Sequence, residues 1–270
     1  MPRTTALTSP WNRCRSVFQA ELPEMPSGLT RFLAKGLMLA FGGLIEIDEP
    51  ERLASLPEPV VFALNHNNSF EAVLVPTALM WHRRGRPVHF FADWMYLHLP
   101  IAGRLLRQAA VIPVYGKRSR WSLLEDLRHE RIRSAPPLET ALGRLASGAS
   151  LGIFPEGTRN ADPERLRRGR SGLGELVLRS AAPVVPVGIR YPAAARLGRA
   201  PRIGRMTLKI GEPLGFEAER QTAPSLAPRD RHALARRIVH QTMAELAALS
   251  GKVISHPGPA APAALSEPAF

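Results

Sequence analysis

From residue 59 the chain repeats one pattern, a short apolar run followed by a stretch with helical spacing. Val60–Leu64, Val88–Ala92, Val111–Tyr115, Leu151–Phe154 and Val184–Ile189 have the length and composition of buried strands. Glu71–His82, Ile101–Ala109, Leu138–Ser147 and Gly172–Arg179 fit helices between them. Parallel strands must be joined by crossovers, and helices are the usual crossover, so the alternation selects the α/β class. The expected architecture is a mixed, largely parallel sheet flanked by helices. Met206–Ile210 adds a strand, and Pro228–Leu249 a long helix with Leu234, Ile238, Met243 and Leu246 on one side.

The two ends read differently. Residues 1–28 carry Pro2, Pro10, Pro23 and Pro26 without periodicity and are expected to form a loose N-terminal arm. Leu29 to Ile45 is an amphipathic helical segment, with Leu29, Phe32, Leu33, Leu37, Ala40, Phe41 and Leu44 at helical spacing and Arg31 and Lys35 off that stripe. Two readings stay open for this segment over 29–46: a helix packed on the domain, or a helix lying on a membrane surface. The α/β domain is expected over 47–250, and the Pro/Ala-rich residues 251–270 are expected to form a disordered tail.

Charge narrows the partners. Lys and Arg number 36 against 23 Asp and Glu, a net charge of +13, which calls for an anionic partner: nucleic acid, an anionic lipid surface or a phosphorylated substrate. Aromatic residues are only 6%, which weighs against base-stacking surfaces, and no nucleic-acid-binding motif occurs, so no nucleic acid partner is expected. A single cysteine, Cys14, excludes an intramolecular disulfide and a Cys-based zinc site. His82, His89 and His98 follow no metal-ligand pattern, and no metal is expected. No run reaches the roughly 18 apolar residues of a spanning helix. The nearest, Gly36–Ile45, is bounded by Lys35 and Glu46, and no secretory signal is expected.

Two segments follow directly on expected strands, where α/β sheets bind ligands. Asn65-His66-Asn67-Asn68-Ser69-Phe70-Glu71 places a histidine five positions before a carboxylate. Histidine titrates near working pH and suits general-base chemistry, and a carboxylate within reach can fix its tautomer. The same residues can instead make a turn that caps the next helix. Ser69 is a nearby hydroxyl, but no Gly-x-Ser-x-Gly elbow surrounds it. Phe154-Pro155-Glu156-Gly157-Thr158-Arg159 ends a strand with a proline, permits close backbone approach at Gly157, and offers the Arg159 guanidinium as a phosphate ligand. Its plainer reading is a solvated basic loop, continued by Arg165, Arg167, Arg168 and Arg170.

Together these segments resemble the glycerolipid acyltransferases typified by 1-acyl-glycerol-3-phosphate acyltransferase, marked by an Asn-His-x4-Asp block and a downstream Phe-Pro-Glu-Gly-Thr-Arg block. The second is complete at 154–159. Ile101–Tyr115 and Ala182–Ile189 are similar to the family's two weaker blocks, so the resemblance spans about residues 29–215. The chain departs from the pattern twice. Glu71 stands where the family has Asp, which adds a methylene and is expected to loosen the pairing with His66. The arginine that usually follows the second block is replaced by Tyr115-Gly116, with Lys117 and Arg118 as the next cations.

The resemblance implies transfer of a fatty acyl group from a thioester donor, acyl-CoA or acyl carrier protein, to the hydroxyl of a lysophosphatidic acid-like acceptor in phospholipid biosynthesis, with no cofactor. It implies catalytic roles for His66 and Glu71. It implies acceptor binding by Gly157, Thr158 and Arg159, with Glu156 contacting the glycerol or bracing Arg159, and by Lys117 and Arg118. The implied location is peripheral or monotopic, on the cytoplasmic face of a membrane. The alternatives are an acyltransferase for another lyso-lipid, such as lyso-ornithine lipid, and a catalytically impaired member that binds lipid.

Overall fold

The computed structural model describes residues 10–98, 106–107, 109–115, 136–192 and 198–255. The expected cations Lys117 and Arg118 lie outside the described residues, as do most of the helix expected over 101–109 and the tail from 256 onward.

Nine strands run β1 (Ile45–Asp48), β2 (Val61–Leu64), β3 (Val88–Asp93), β4 (Ile112–Val114), β5 (Ser150–Ile153), β6 (Arg165–Leu166), β7 (Val184–Arg190), β8 (Met206–Ile210) and β9 (Val253–Ile254) among the described residues. Among the described residues eight α-helices accompany them: α1 (Pro10–Gln19), α2 (Gly28–Phe41), α3 (Glu51–Ser55), α4 (Glu71–His82), α5 (Pro137–Ala146), α6 (Gly172–Leu178), α7 (Glu217–Thr222) and α8 (Pro228–Ser250). Seven strands form one sheet in the order β1-β8-β7-β2-β5-β3-β4. All neighbours are parallel except β7 and β8, which pair antiparallel with Ile189 opposite Leu208. The α/β class and the largely parallel sheet are as the alternation implies.

β2 is buried on both faces, and its side chains alternate between two cores. Val60, Phe62 and Leu64 join one apolar cluster with α2, α3 and α4. Val61 and Ala63 join the other, under α5, α6 and α8. Full burial of a side chain such as Phe62 or Leu64 contributes about 1.5–3 kcal/mol.

The N-terminal segment differs from its sequence reading. The stretch read as a loose arm contains a helix over Pro10–Gln19, whose Val17 is buried in the first core. The following helix starts at Gly28, with the Ser27 hydroxyl capping the Thr30 N–H at 3.1 Å, and stops at Phe41 rather than Ile45. Ile45 instead opens β1, which no local signal announced because its partner β8 lies far along the chain. The apolar stripe of α2 also splits. Ala34 and Met38 pack inward, while Leu29 and Phe32 are 52% and 73% exposed, beside Phe18 of α1 at 70%. At the other end, the expected tail begins too early: Val253–Ile254 pairs with β6, and Lys252 is buried.

Candidate active site

The central strands β7, β2 and β5 are parallel neighbours, so their carboxyl ends deliver three loops to one edge. β2 feeds Asn65–Glu71, β5 feeds Phe154–Asn160 and β7 feeds Tyr191. Asn65 ties two of these ends together. Its amide accepts from the Ile189 N–H at 2.7 Å and donates to the Ile189 carbonyl at 3.1 Å, wholly out of solvent.

His66 Nδ1 faces Glu71 Oε2 at 3.2 Å. The glutamate has no exposed surface, and the His66 side chain is 12% exposed. Glu71 is not loosely held, despite its extra methylene. Oε2 also accepts the N–H groups of Asn67 at 2.6 Å and Asn68 at 3.2 Å. Oε1 accepts Asn67 Nδ2 at 2.7 Å and the Tyr191 hydroxyl at 2.8 Å. Its four other described partners all donate, as an ionised carboxylate requires. The proton between His66 and Glu71 therefore belongs on Nδ1, and Nε2 carries the lone pair that a substrate hydroxyl can meet. The imidazole stacks on Phe154, centroids 4.1 Å apart, and Phe154 rests on Phe90 at 5.6 Å. Gly152 makes room for this column, since a Cβ there would sit 2.2 Å from the Phe90 ring.

The turn and helix-cap reading of Asn67–Ser69 is also correct in part. Asn68 Oδ1 accepts the N–H groups of Phe70 at 2.9 Å and Glu71 at 3.1 Å, closing the start of α4. One tight turn thus serves both the helix and the histidine.

In the second loop Glu156 is buried and turned inward. It accepts the His66 N–H at 3.2 Å, the Arg167 N–H at 2.9 Å and Asn160 Nδ2 at 2.9 Å. The Asn160 N–H returns to the His66 carbonyl at 2.7 Å. Glu156 therefore joins the two loops through their backbones and does not brace Arg159, as the resemblance allowed. Gly157 takes φ +67°, and its N–H is committed to the Phe154 carbonyl at 2.9 Å. Gly157, Thr158 and Arg159 are exposed at the rim. Arg159 reaches across to the Ser69 hydroxyl, so that hydroxyl is engaged by a cation and not by His66.

A family model described as Acyltransferase matches residues 45–190, more than half of the chain. The chain belongs to the acyltransferase family. The 1-acyl-sn-glycerol-3-phosphate acyltransferase of Bacillus subtilis (strain 168) is 24% identical over 187 residues, covering 68% of this chain and 81% of the relative. The fold is similar to the crystal structure of the 1-acyl-sn-glycerophosphate (LPA) acyltransferase PlsC from Thermotoga maritima, with TM-score 0.50 and 18% identity over 82% of this chain and 80% of that one.

In this acyltransferase the structure brings His66, Glu71, Glu156, Gly157, Thr158 and Arg159 to one sheet edge. Sequence reasoning missed Tyr191, Lys252 and Asn160. Tyr191 follows β7 at the carboxyl edge, a position that strand-end reasoning can flag. Asn160 adjoins the Phe-Pro-Glu-Gly-Thr-Arg block. Lys252 carries no local signal. Its Nζ donates to Asn67 Oδ1 at 2.5 Å and to the Asp162 carbonyl at 2.6 Å. Beside the site an open groove of about 440 Å³ is lined by Asn160, Asp162, Arg167 and Arg199 among others. Among the described residues, no group of three or more His, Cys, Asp or Glu side chains is placed to hold a metal.

Proposed function

We propose that this acyltransferase moves a fatty acyl group from acyl-CoA or acyl carrier protein to the free hydroxyl of a lysophosphatidic acid-like glycerolipid. The observation that carries the reading is the shared rim. A histidine with its Nδ1 on a buried carboxylate lies beside an exposed Gly157-Thr158-Arg159 turn, whose arginine already spans to the histidine loop. The names of the Bacillus subtilis relative and the Thermotoga maritima structure support the same acceptor class.

In this mechanism His66 Nε2 takes the acceptor hydroxyl proton as the oxygen attacks the thioester carbonyl. The tetrahedral intermediate collapses with expulsion of the thiolate, which recovers the proton from the imidazolium. A thiolate leaves readily, so no acyl-enzyme is needed. Glu71 holds the ring and offsets its transient charge. Arg159 takes the acceptor phosphate by two parallel hydrogen bonds. The alternative, an impaired member that binds lipid, is motivated by Glu at position 71; the hydrogen bonds that hold Glu71 against His66 favour the enzyme reading, and the acyl-transfer assay separates the two.

The acceptor is an amphiphile, so the reaction belongs at a lipid surface. No helix among the described residues is long and apolar enough to cross a membrane. Peripheral attachment is proposed instead, through exposed Phe18, Leu29 and Phe32 with Arg15, Arg31 and the net positive charge.

The test is acyl transfer by the purified protein from acyl-CoA and from acyl carrier protein to lysophosphatidic acid and a panel of other lyso-lipids. Transfer to lysophosphatidic acid is expected, falling on the order of 100-fold to 10,000-fold in His66→Ala. Transfer only to a non-phosphorylated acceptor overturns the acceptor assignment. Near-normal turnover in His66→Ala overturns the mechanism.

A further inference from the structure

We propose that Tyr191 and Lys252 are positioning residues that hold Glu71 in the one orientation that serves His66. The inference rests on the general-base reading of His66 and goes beyond it. It names two side chains, one after β7 and one after α8, that meet Glu71 directly or through Asn67.

Tyr191 is buried and sits between two partners in series. Its hydroxyl accepts from Asn68 Nδ2 at 2.6 Å and donates to Glu71 Oε1 at 2.8 Å. Burial first, then the Glu71 charge, push the phenol well above its ordinary pKa. Tyr191 thus stays protonated and remains a donor to the carboxylate.

Lys252 acts one residue further away. Gly251 ends α8 in the left-handed region, at φ +66° and ψ 32°, and turns the chain back so that Lys252 enters the core. Its ammonium binds Asn67 Oδ1 at 2.5 Å, and Asn67 Nδ2 binds Glu71 Oε1 at 2.7 Å. An amide between an ammonium and a carboxylate has one attractive orientation, oxygen toward the cation and nitrogen toward the anion. Lys252 therefore fixes the amide, and the amide fixes the carboxylate. The second Lys252 bond, to the Asp162 carbonyl at 2.6 Å, anchors the ammonium to the loop after Arg159.

The arrangement accounts for glutamate at position 71. The longer side chain has one more rotatable bond than aspartate, and a free glutamate would spread over several rotamers. Tyr191 and Asn67 clamp Oε1, which leaves Oε2 directed at His66 Nδ1.

The test uses full-length Tyr191→Phe, Lys252→Met and Lys252→Arg, each alone and in a Glu71→Gln background. Steady-state kinetics on lysophosphatidic acid with acyl-CoA are read with thermal unfolding. Tyr191→Phe and Lys252→Met are each expected to lower kcat roughly 10-fold with KM for the acceptor little changed, as loss of one hydrogen bond in a charged network predicts. Lys252→Arg, which keeps a cationic donor, should recover part of that loss. In the Glu71→Gln background the same changes should have almost no further effect on kcat, because both residues act through that carboxylate. If Lys252→Met does not fold, the near-isosteric Tyr191→Phe decides alone. Wild-type kcat in Tyr191→Phe, or an equal loss with and without Glu71, overturns the positioning role while a dead His66→Ala leaves the general base standing. Near-normal turnover in His66→Ala overturns both.

Discussion

Asn68 and Glu71 exchange hydrogen bonds: the Asn68 side chain accepts the Glu71 N–H at 3.1 Å, and the Glu71 carboxylate accepts the Asn68 N–H at 3.2 Å. The exchange has the pattern of a capping box across the turn that leads into α4, a pattern in which glutamate is a preferred second residue. The same carboxylate oxygen meets His66, so helix initiation and orientation of the base are one structure. Reach and charge at position 71 should separate on mutation. Glu71→Asp keeps the charge but withdraws it by a methylene from the Asn67 and Asn68 N–H groups. It should cost about 0.5–2 kcal/mol of stability as a damaged cap. Its activity should fall roughly 10-fold, the loss of one hydrogen bond to a charged group. Glu71→Gln keeps the reach but not the charge, and should lower kcat on the order of 100-fold to 10,000-fold. Denaturant unfolding and kinetics on both variants give the comparison. Full activity in Glu71→Gln would show that Glu71 is only a cap.

Arg159 is exposed and touches Ser69, while Glu156 is occupied by backbone N–H groups and Asn160. A stabilising Arg159–Glu156 pair is therefore not part of the fold. Arg159→Lys should leave the melting temperature near wild type, within about 0.5 kcal/mol in stability. It should raise KM for a phosphorylated acceptor more than it lowers kcat, because phosphate binding remote from the reacting hydroxyl is nearly equal in ground and transition states. A wild-type KM with a lowered melting temperature would assign Arg159 to structure and remove it from phosphate binding.

Phe18 and Phe32 are the most exposed large apolar side chains described, at 70% and 73%, and they belong to the adjacent helices α1 and α2. Phe18→Ser with Phe32→Ser should weaken flotation with anionic liposomes without unfolding the protein, since neither side chain is in the core. Salt should weaken the wild-type interaction further, as surface charges are screened beyond about 8 Å at physiological ionic strength. Deleting the whole N-terminal segment is a poorer test because Ala34 and Met38 are core residues. Unchanged flotation by the double variant would leave α1 and α2 with a packing role alone.

The legible parts of this molecule are those whose signal is local. Glu71–His82 and Met206–Ile210 have the bounds read from the sequence: the strand alternates, and the helix is an apolar stretch that runs from Glu71 to the polar His82-Arg83-Arg84. The two loops were legible because short motifs hold their chemistry within a few residues. What escaped depends on distant pairing. Ile45–Asp48 becomes a strand only beside Met206–Ile210, and Val253–Ile254 only beside Arg165–Leu166. Lys252 escaped for the same reason: its partner Asn67 lies across the core, and composition placed the lysine in a tail. The apolar stripe of α2 was visible, but which part of it faces α4 is decided by packing, not by spacing.

His89 gives the fold a pH dependence of predictable sign. The residue is buried in β3, with Nδ1 3.1 Å from the Ala110 carbonyl. Burial first, then the charge of Arg144, lowers its pKa below the ordinary 6.5, and the carbonyls of Ala109 and Ala110 only partly oppose this. Burial lowers His82 in the same direction. Well above pH 6.5 both histidines are neutral whether the chain is folded or unfolded, and the full stability is present. As pH falls below that value the unfolded chain takes up protons first, so stability is lost down toward the lowered folded-state values. His89→Gln removes one of the two groups and can still donate to the Ala110 carbonyl. Urea midpoints followed from about pH 8 to about pH 5 should therefore fall less steeply in His89→Gln than in wild type, with a residual slope from His82 and the carboxylates. Identical slopes in the two proteins would mean that His89 charges as easily inside the sheet as in water, which its burial and the charge of Arg144 argue against.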